Sequence, residues 1–250
     1  MKFFLISLSV LFLLPNFFNI NFEKDPVFNK VEFFDPSLSK INSVQKLIEY
    51  ADSISEKKYA GNSFEYAKIV ARIIRNRFYH GFSSYSLKQN WIAATTQYIF
   101  GYNVACPVNS DEILRYPYAG CSQQAIVLVS VMKRQKVPYR SIGFPHHYAT
   151  ELNFNNSWYF FDTDMEPEIH GEERNENNWK QNADSLKKFY NAILFNLDWE
   201  FGKSLPLKVG KINSFPAPRA YIFQTLTKYL SRILWIFPLL IVIYPRKNKV

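Results

Sequence analysis

The sequence predicts an α+β protein in which helices are followed by an antiparallel sheet, with a cysteine at the N-terminus of a buried helix. Up to about residue 134, apolar residues recur at the spacing of one helix face. From about residue 137 to residue 163 the period becomes two, which is typical of strands. A hydrophobic content of 48% and an aromatic content of 18%, with 8 glycines, favour an ordered globular chain over a disordered one.

Three helices are predicted before Gly101. They begin at Ser39 or Asn42, at Ser63 and at Leu87, and they end near Ser53, at Arg77 and at Phe100. Gly101 follows the third helix and suits a C-cap, since glycine adopts the left-handed conformation easily. Residues 102–120 contain prolines and small polar residues and are predicted to form a loop.

A fourth helix is predicted to begin at a cysteine. Cys121 follows Gly120, and between Ala125 and Met132 the one polar residue is Ser130. A helix that is apolar nearly all round is expected to lie inside a domain. At its start, unpaired backbone N–H groups and the positive end of the helix dipole would favour the thiolate form of the cysteine.

Strands are predicted after this helix. Residues 137–144 are interpreted as a strand entry, and residues 146–152 and 158–163 as two strands joined by a turn at residues 153–156. Farther along, residues 164–180 are predicted to be a solvated acidic loop and residues 184–197 a helix.

The parity of the hairpin decides whether His147 and Asp162 can meet. If the connecting loop has an even number of residues, both lie on one face, as direct neighbours or one diagonal step apart. An odd-numbered loop would place them on opposite faces. His146 points to the other face in either case and is the weaker candidate base.

Cys121, His147 and Asp162 are therefore the candidate catalytic residues. A cysteine enzyme needs an imidazole that takes the thiol proton and a carboxylate that orients this imidazole. The competing interpretations are that Cys121 is inert packing or forms a disulfide with Cys106, and that His147 is structural.

At these residues the sequence resembles the transglutaminase-like superfamily, which belongs to the papain-like group of cysteine enzymes. The matching segments are residues 120–125, 137–140, 147–151 and 158–163, within a resemblance that covers about residues 60–165. The resemblance implies a papain- or transglutaminase-like core in which Cys121 is the nucleophile, His147 the general base and acid, and Asp162 the orienting carboxylate. It also implies structural roles for Trp158 and Glu151.

Two features of the family pattern are not found in the sequence. Thr163 and Asp164 stand where the family usually has a proline or a similar small residue after the aspartate. No oxyanion-hole side chain is identified; the candidates are Asn90, Trp91, Gln97 and the backbone N–H of Cys121. Neither a calcium-loop pattern nor a cysteine and histidine cluster with zinc spacing is present, so no metal or other cofactor is expected.

Both ends of the chain are predicted to contact a membrane. Residues 1–20 contain Lys2 and an apolar stretch, as in a signal peptide or an N-terminal membrane anchor, with a buried helix or strand as the alternative. Residues 221–250 are predicted to be a C-terminal membrane segment with a basic tail, or an interfacial amphipathic helix. Between them, residues 21–205 would form the transglutaminase-like domain and residues 206–220 a linker.

The basic residues near the C-terminus indicate how the chain is oriented. The formal net charge is +9, and the residues after Glu200 include nine Lys and Arg but no acid. This uneven distribution argues against nucleic-acid binding, because the body of the chain is neutral. With Lys2 and the basic tail on the cytoplasmic side, the body would lie outside the cytoplasmic membrane, in the cell envelope.

The predicted function is that of a membrane-anchored cysteine enzyme. It would cleave or transfer at an amide or peptide bond of a peptide or protein substrate through a thioacyl intermediate. The alternative is a noncatalytic module of the same fold that binds a peptide or glycan in the envelope. A third possibility is a membrane-surface accessory protein in which the basic C-terminal segment carries the function.

Overall fold

A computed structural model describes residues 1–29, 32–56, 58–165, 169, 171–179, 187–190, 196–202 and 208–244. Most of the predicted helix at residues 184–197, part of the predicted linker and the basic tail at residues 245–250 lie outside the described residues. The chain forms two compact units. Unit 1 consists of Met1–Asp25, Ser84–Pro107 and Ala217–Val250, and unit 2 consists of Pro26–Ser83 and Val108–Pro216.

The fold is of the α+β class with an antiparallel sheet, as predicted. The α-helices are α1 (Lys2–Leu13), α2 (Val44–Ile54), α3 (Phe64–Arg77), α4 (Leu87–Phe100), α5 (Ser110–Ile113), α6 (Cys121–Arg134), α7 (Glu176–Trp179), α8 (Leu197–Phe201), α9 (Pro218–Ile233) and α10 (Ile236–Ile243). The strands are β1 (Tyr79–His80), β2 (Tyr118–Ala119), β3 (Tyr139–Gly143), β4 (Tyr148–Phe154), β5 (Ser157–Phe161) and β6 (Lys208–Val209). Short 3-10 helices cover Leu14–Phe17, Pro36–Lys40 and Gly171–Arg174.

The predicted helices before Gly101 are confirmed, with small shifts at their ends. Ser43 and Ser63 cap α2 and α3, because each side chain accepts a backbone N–H from the first turn. The start predicted at Ser39 or Asn42 was early, since the residues up to Lys40 form a 3-10 helix instead. Gly101 ends α4 with φ 70°, the left-handed C-cap expected from the sequence.

The main sheet of unit 2 has the strand order β5-β4-β3-β6, and its neighbouring strands are antiparallel. Asn155 and Asn156 join β4 to β5 with φ 51° and 62°, a two-residue connection of the kind that fits the twist of a hairpin. Thr150 pairs with Phe161, so odd positions of β4 face even positions of β5. The even-loop parity is therefore confirmed, although the turn is tighter than predicted.

Helix α6 is the buried helix predicted from its composition. It packs against α2, α3 and α5 and against strands β3 and β4. The side chains from Ala125 to Met132, apart from Ser130, are buried. Burial of each large apolar side chain, such as Leu128, stabilises the fold by about 1.5–3 kcal/mol. Cys121, at the first position of the helix, is thus held by a well-packed element.

The segment predicted as a solvated acidic loop is instead partly built into the core. Trp179 is buried and packs its ring against Phe160, with centroids 5.1 Å apart. The buried Arg174 guanidinium donates to the carbonyl oxygens of Ile169 and Phe160. The sequence prediction for this segment was wrong because it depended on the average composition, which is acidic and does not show that two individual side chains are buried.

Unit 1 is helical and joins segments that are distant in sequence. Helix α4 packs against α9 and against the 3-10 helix Leu14–Phe17, and α1 packs against α10. Buried Asn90 interrupts α4 with φ −161° and donates to Thr227 of α9 at 2.9 Å. This amide connects the two helices, which explains why a polar residue is tolerated there.

Among the described residues, no single helix has both the length and the apolar composition needed to cross a membrane. Helices α9 and α10 meet these requirements together, with a bend of 44° between them. A shorter apolar helical stretch covers Lys2–Phe17.

Candidate active site

Helix α6 begins at Cys121, and Gly120, its N-cap residue, lies close to the ring of Phe82. The Gly120 carbonyl accepts the N–H of Gln124 at 3.0 Å, which closes the first helical turn. The first N–H groups of a helix have no partner within the helix, so the Cys121 backbone N–H is a suitable donor to a substrate oxygen. A Cβ atom at Gly120 would lie 2.6 Å from the Phe82 ring, so glycine permits this close approach.

Gln123 attaches the start of α6 to a neighbouring segment. Its Oε1 accepts from the Ser83 N–H at 3.0 Å and from the Gly120 N–H at 3.3 Å. Its Nε2 donates back to the Ser83 carbonyl oxygen at 3.2 Å. Because these groups are buried, the bonds fix the position of the residue that precedes the cysteine.

The hairpin brings His147 and Asp162 together. His147 lies just before β4 and Asp162 just after β5, so each stands one residue outside its observed strand, although the sequence predicted both within strands. In the observed register Ala149 would lie opposite Asp162, which leaves His147 one diagonal step away. The distance between His147 Nε2 and Asp162 Oδ2 is 2.7 Å.

Asp162 is held by further donors. Its Oδ1 accepts the backbone N–H groups of Asp164 and Met165 at 3.0 and 3.2 Å. Its Oδ2 accepts the hydroxyl of Tyr190 at 2.9 Å in addition to the imidazole. Tyr190 was missed by sequence reasoning, since it lies 28 residues away with no local pattern that connects it to the hairpin.

The electrostatics of this pair favour the charged forms. Burial by itself would lower the pKa of His147, but the charge and hydrogen bond of Asp162, and then contact with Cys121, hold the pKa well above its usual value. Burial would likewise raise the pKa of Asp162, yet His147 and the donors around the carboxylate keep that pKa below its usual value. The imidazole is therefore a strengthened base held by a carboxylate.

Cys121 completes the cluster. Its Sγ lies within 4.8 Å of a ring nitrogen of His147 and of a carboxylate oxygen of Asp164. Since Nε2 of His147 is bonded to Asp162, Nδ1 is the nitrogen left to accept the thiol proton. The three residues predicted from the sequence thus lie together in unit 2.

Asp164 and His80 form a second carboxylate–imidazole pair beside the first. Asp164 Oδ2 is 2.9 Å from His80 Nδ1, and its Oδ1 accepts from Gln124 Nε2 at 2.6 Å. The charge and hydrogen bond of Asp164 raise the pKa of His80 to about 9. In the sequence Asp164 stands out only as a departure from the family pattern, which indicates no role for it. His80 carried no signal, because it lies 84 residues from its partner.

The other candidates from the sequence have different surroundings. His146 stacks on Trp199 with ring centroids 3.6 Å apart, which agrees with its expected weaker candidacy. Cys106 belongs to unit 1, and both cysteines are free thiols, so the alternative disulfide is absent. Buried Glu151 accepts from Arg140 at 2.6 Å, an ion pair across β3 and β4.

The side chains proposed for an oxyanion hole make their bonds within unit 1. Asn90 and Trp91 donate to residues of α9, namely Thr227 and Ser231. Gln97 accepts from the Ala105 N–H at 2.8 Å. The described bonds of these three side chains are therefore structural, and the backbone N–H of Cys121 is the remaining candidate from the sequence.

No family model matches the chain, and no curated protein matches it. Among solved structures, a crystal structure of a TGase aligns with it at 14% sequence identity and a TM-score of 0.35. The aligned part covers 62% of this chain and 39% of that one. A likeness at this level carries no argument about family or activity, so the functional proposal depends on the geometry of the site.

Proposed function

We propose that the chain is a transglutaminase-like cysteine enzyme with a papain-like core, acting on an amide or peptide bond through a thioacyl intermediate. Cys121 is the nucleophile, His147 the general base and acid, and Asp162 the orienting carboxylate. The observation that carries this proposal is the 2.7 Å contact between His147 and Asp162, with the Cys121 sulfur within 4.8 Å of the same imidazole.

In the first half-reaction, His147 takes the proton of the Cys121 thiol and the sulfur attacks the substrate carbonyl carbon. The carbonyl oxygen becomes an oxyanion and accepts the backbone N–H of Cys121. When the tetrahedral intermediate collapses, the C–N bond breaks and His147 returns its proton to the leaving amine. The products are a thioester on Cys121 and a free amine.

In the second half-reaction, the thioester is attacked by water or by an acceptor amine. His147 removes a proton from this nucleophile, the C–S bond breaks, and the proton returns to the sulfur. Water gives a carboxylic acid and therefore hydrolysis, whereas an amine gives a new amide and therefore acyl transfer. The roles of Cys121, His147 and Asp162 are the same in both reactions.

The direct test is alkylation of the full chain by iodoacetamide at neutral pH, followed by peptide mass spectrometry. Cys121 is expected to be labelled rapidly, and Cys121→Ala is expected to abolish the rapid labelling. The matched control is Cys106→Ala, which removes the other thiol and leaves the rapid phase intact. Rapid labelling that persists in Cys121→Ala, or that maps to Cys106, contradicts the assignment.

One observation favours the alternative of a noncatalytic module that binds a peptide or glycan. Cys121 and His147 are 8% and 3% exposed, so the groups that cover the sulfur must move before a substrate carbonyl can reach it. A noncatalytic module predicts that Cys121 is alkylated no faster than a thiol in an unfolded peptide. The enzyme predicts faster alkylation, since the imidazole promotes thiolate formation.

We also propose that unit 1 anchors the protein to a membrane and that unit 2 lies on the extracytoplasmic side. Many large apolar side chains on its helices are exposed, and exposed apolar patches mark membrane or protein contacts. They include Phe3, Phe4 and Leu11 of α1, Ile222, Leu226 and Tyr229 of α9, and Phe237 and Ile241 of α10. The bent pair α9 and α10 would supply the length that a single helix lacks.

Flotation with phosphatidylglycerol-containing vesicles tests the anchor. The full chain is expected to float, and the double substitution Ile222→Asp with Ile241→Asp is expected to prevent flotation, because it places two charges among the exposed apolar side chains. Val27→Asp is the matched control, since Val27 is an exposed apolar residue of unit 2. Equal flotation of all three proteins would remove the support for the anchor.

A further inference from the structure

The cluster around Cys121 contains the donor set of a metal site. The sulfur of Cys121, a ring nitrogen of His147 and a carboxylate oxygen of Asp164 all lie within 4.8 Å of one another. A tetrahedral zinc ion, with bonds of about 2.0–2.3 Å, separates its ligand atoms by about 3.3–3.8 Å. Side-chain movements that shift these three ligand atoms by about 1 Å would therefore bring them into coordination distance of one ion.

The groups behind these three atoms match the outer shell of a zinc site. Histidine ligands of zinc usually donate their second ring N–H to a carboxylate, and His147 Nε2 is bonded to Asp162 at 2.7 Å. Ligating carboxylates are themselves hydrogen-bonded, and Asp164 is bonded to His80 at 2.9 Å and to Gln124 at 2.6 Å. The two ligands are thus already oriented by neighbours.

Charge and burial also suit a divalent cation. The thiolate of Cys121 and the carboxylates of Asp162 and Asp164 would offset the two positive charges of the ion and the one of the neighbouring His80 imidazolium, and His147 would bind through neutral Nδ1. The side chains of His147 and Asp164 are 1% and 2% exposed, so the site is shielded from bulk solvent. Thiolate and imidazole are ligands that zinc prefers over calcium and magnesium.

We infer that Cys121, His147 and Asp164 bind one zinc ion and that this ion holds the nucleophile in an inactive form. On binding, the proton that Cys121 Sγ and His147 Nδ1 share passes to the solvent, and Sγ–Zn and Nδ1–Zn bonds form in its place without any oxidation or reduction. Water occupies the fourth position. Zinc binding itself does not depend on the proposed enzymatic function, but the inhibitory consequence rests on it.

This site departs from the expectation that the chain holds no metal. That expectation came from the absence of cysteine and histidine residues at zinc spacing along the sequence. The ligands here come from a helix start and from the two ends of a hairpin, at positions 121, 147 and 164. The site is thus assembled by the fold and not by a local motif.

Titration calorimetry of the metal-free full chain with zinc chloride is the first test. One equivalent is expected to bind, with affinity reduced by at least about 10-fold in Asp164→Asn and at least about 100-fold in Cys121→Ser. His80→Ala removes a group behind Asp164 and is expected to weaken binding by about 10-fold. Cys106→Ser and His146→Ala are the matched controls and are expected to bind like the wild type.

The rate at which iodoacetamide alkylates Cys121 is an independent test of whether zinc binds to this sulfur. One equivalent of zinc is expected to slow alkylation by at least about 10-fold, and a chelator is expected to restore the rate. In Asp164→Asn the same zinc concentration is expected to protect less, relative to the zinc-free rate of that variant. Circular dichroism of each variant separates lost binding from lost folding, and His80→Ala tests the site even if Asp164→Asn does not fold.

The outcomes distinguish the two proposals. If the wild type binds no zinc while Cys121 is alkylated rapidly, the metal site is wrong and the enzyme proposal stands. If zinc binds with wild-type affinity in Asp164→Asn and in His80→Ala, the ion is held elsewhere and the inference is overturned. If zinc binds as expected but Cys121 shows no enhanced reactivity without metal, the enzymatic function fails and the metal site remains.

Discussion

The two cysteines have the same exposure, 8% each, but different surroundings. Cys106, in unit 1, has a pKa raised to about 12, chiefly by burial and further by the charge of Glu23. Cys121, in unit 2, has the strengthened base His147 within 4.8 Å. Burial alone makes a thiol inert, because the charged form loses its hydration. A buried thiol becomes a candidate nucleophile when the fold supplies a base for its proton.

The groups that contact each cysteine explain why only Cys121 is a candidate nucleophile. The contact of Cys106 with Gln97 Oε1, at 3.9 Å, is to an amide, which cannot take up a proton. The backbone around Cys106 is fixed by Gln224, whose Nε2 donates to the Cys106 carbonyl at 2.6 Å. This arrangement stabilises a loop. The groups near Cys121 are the His147 imidazole, the Asp162 carboxylate bonded to that imidazole and the Asp164 carboxylate, and these groups stabilise charge.

The largest expected effect that separates the two thiols comes from His147. His147→Ala is expected to slow alkylation of Cys121 at neutral pH by about 100-fold or more, because the base that accepts the thiol proton is removed. The matched control is His146→Ala, since His146 stacks on Trp199 and does not join the cluster. The measurement is the alkylation rate by mass spectrometry. Equal slowing by both substitutions would mean that the effect is structural.

A smaller effect is expected from Asp162. Asp162→Asn keeps the shape but removes the charge that orients and strengthens His147, so alkylation of Cys121 is expected to slow by about 10- to 100-fold. Stability is also expected to fall by about 1–3 kcal/mol, because buried donors lose their acceptor. Alkylation rates and urea unfolding measure the two quantities. An unchanged alkylation rate would show that His147 acts without its carboxylate.

The pH dependence of the free energy of unfolding should show the raised pKa of Cys106. Its folded pKa, about 12, is raised above the unfolded value of about 8.5. Its contribution to stability is therefore fully present below pH 8.5 and is lost as the pH rises toward 12, at up to about 1.4 kcal/mol per pH unit. Urea unfolding from pH 7 to pH 10 should show this loss in the wild type and not in Cys106→Ala. Parallel curves for the two proteins would contradict the raised pKa.

The smallest expected effect concerns Tyr190. Tyr190→Phe removes one hydrogen bond to Asp162, so the free energy of unfolding is expected to fall by about 1 kcal/mol. Alkylation of Cys121 is expected to slow by a few-fold, because Asp162 keeps its bonds to His147 and to two backbone N–H groups. Tyr139→Phe is a control that removes another tyrosine hydroxyl of unit 2, the one bonded to the Asn213 carbonyl. Equal slowing of alkylation in both variants would argue against a positioning role.

The sequence by itself determined the features that depend on local periodicity and on chain geometry. The helices that end at Arg77 and Phe100, and the buried helix that begins at Cys121, followed from apolar spacing, caps and composition. Because side chains alternate strictly along a strand, the sequence also predicted that His147 and Asp162 meet if the hairpin loop has an even number of residues, and the structure supplied the two-residue loop. The three candidate catalytic residues could therefore be selected before the fold was known.

Only the tertiary structure decided which distant groups surround those residues. Tyr190 and His80 reach Asp162 and Asp164 from 28 and 84 residues away, across connections whose course the sequence does not encode locally. The same holds for Asn90, which was a candidate for the oxyanion hole and instead bonds to α9, 137 residues later. Contacts of this kind depend on how whole elements pack, whereas periodicity describes one element at a time.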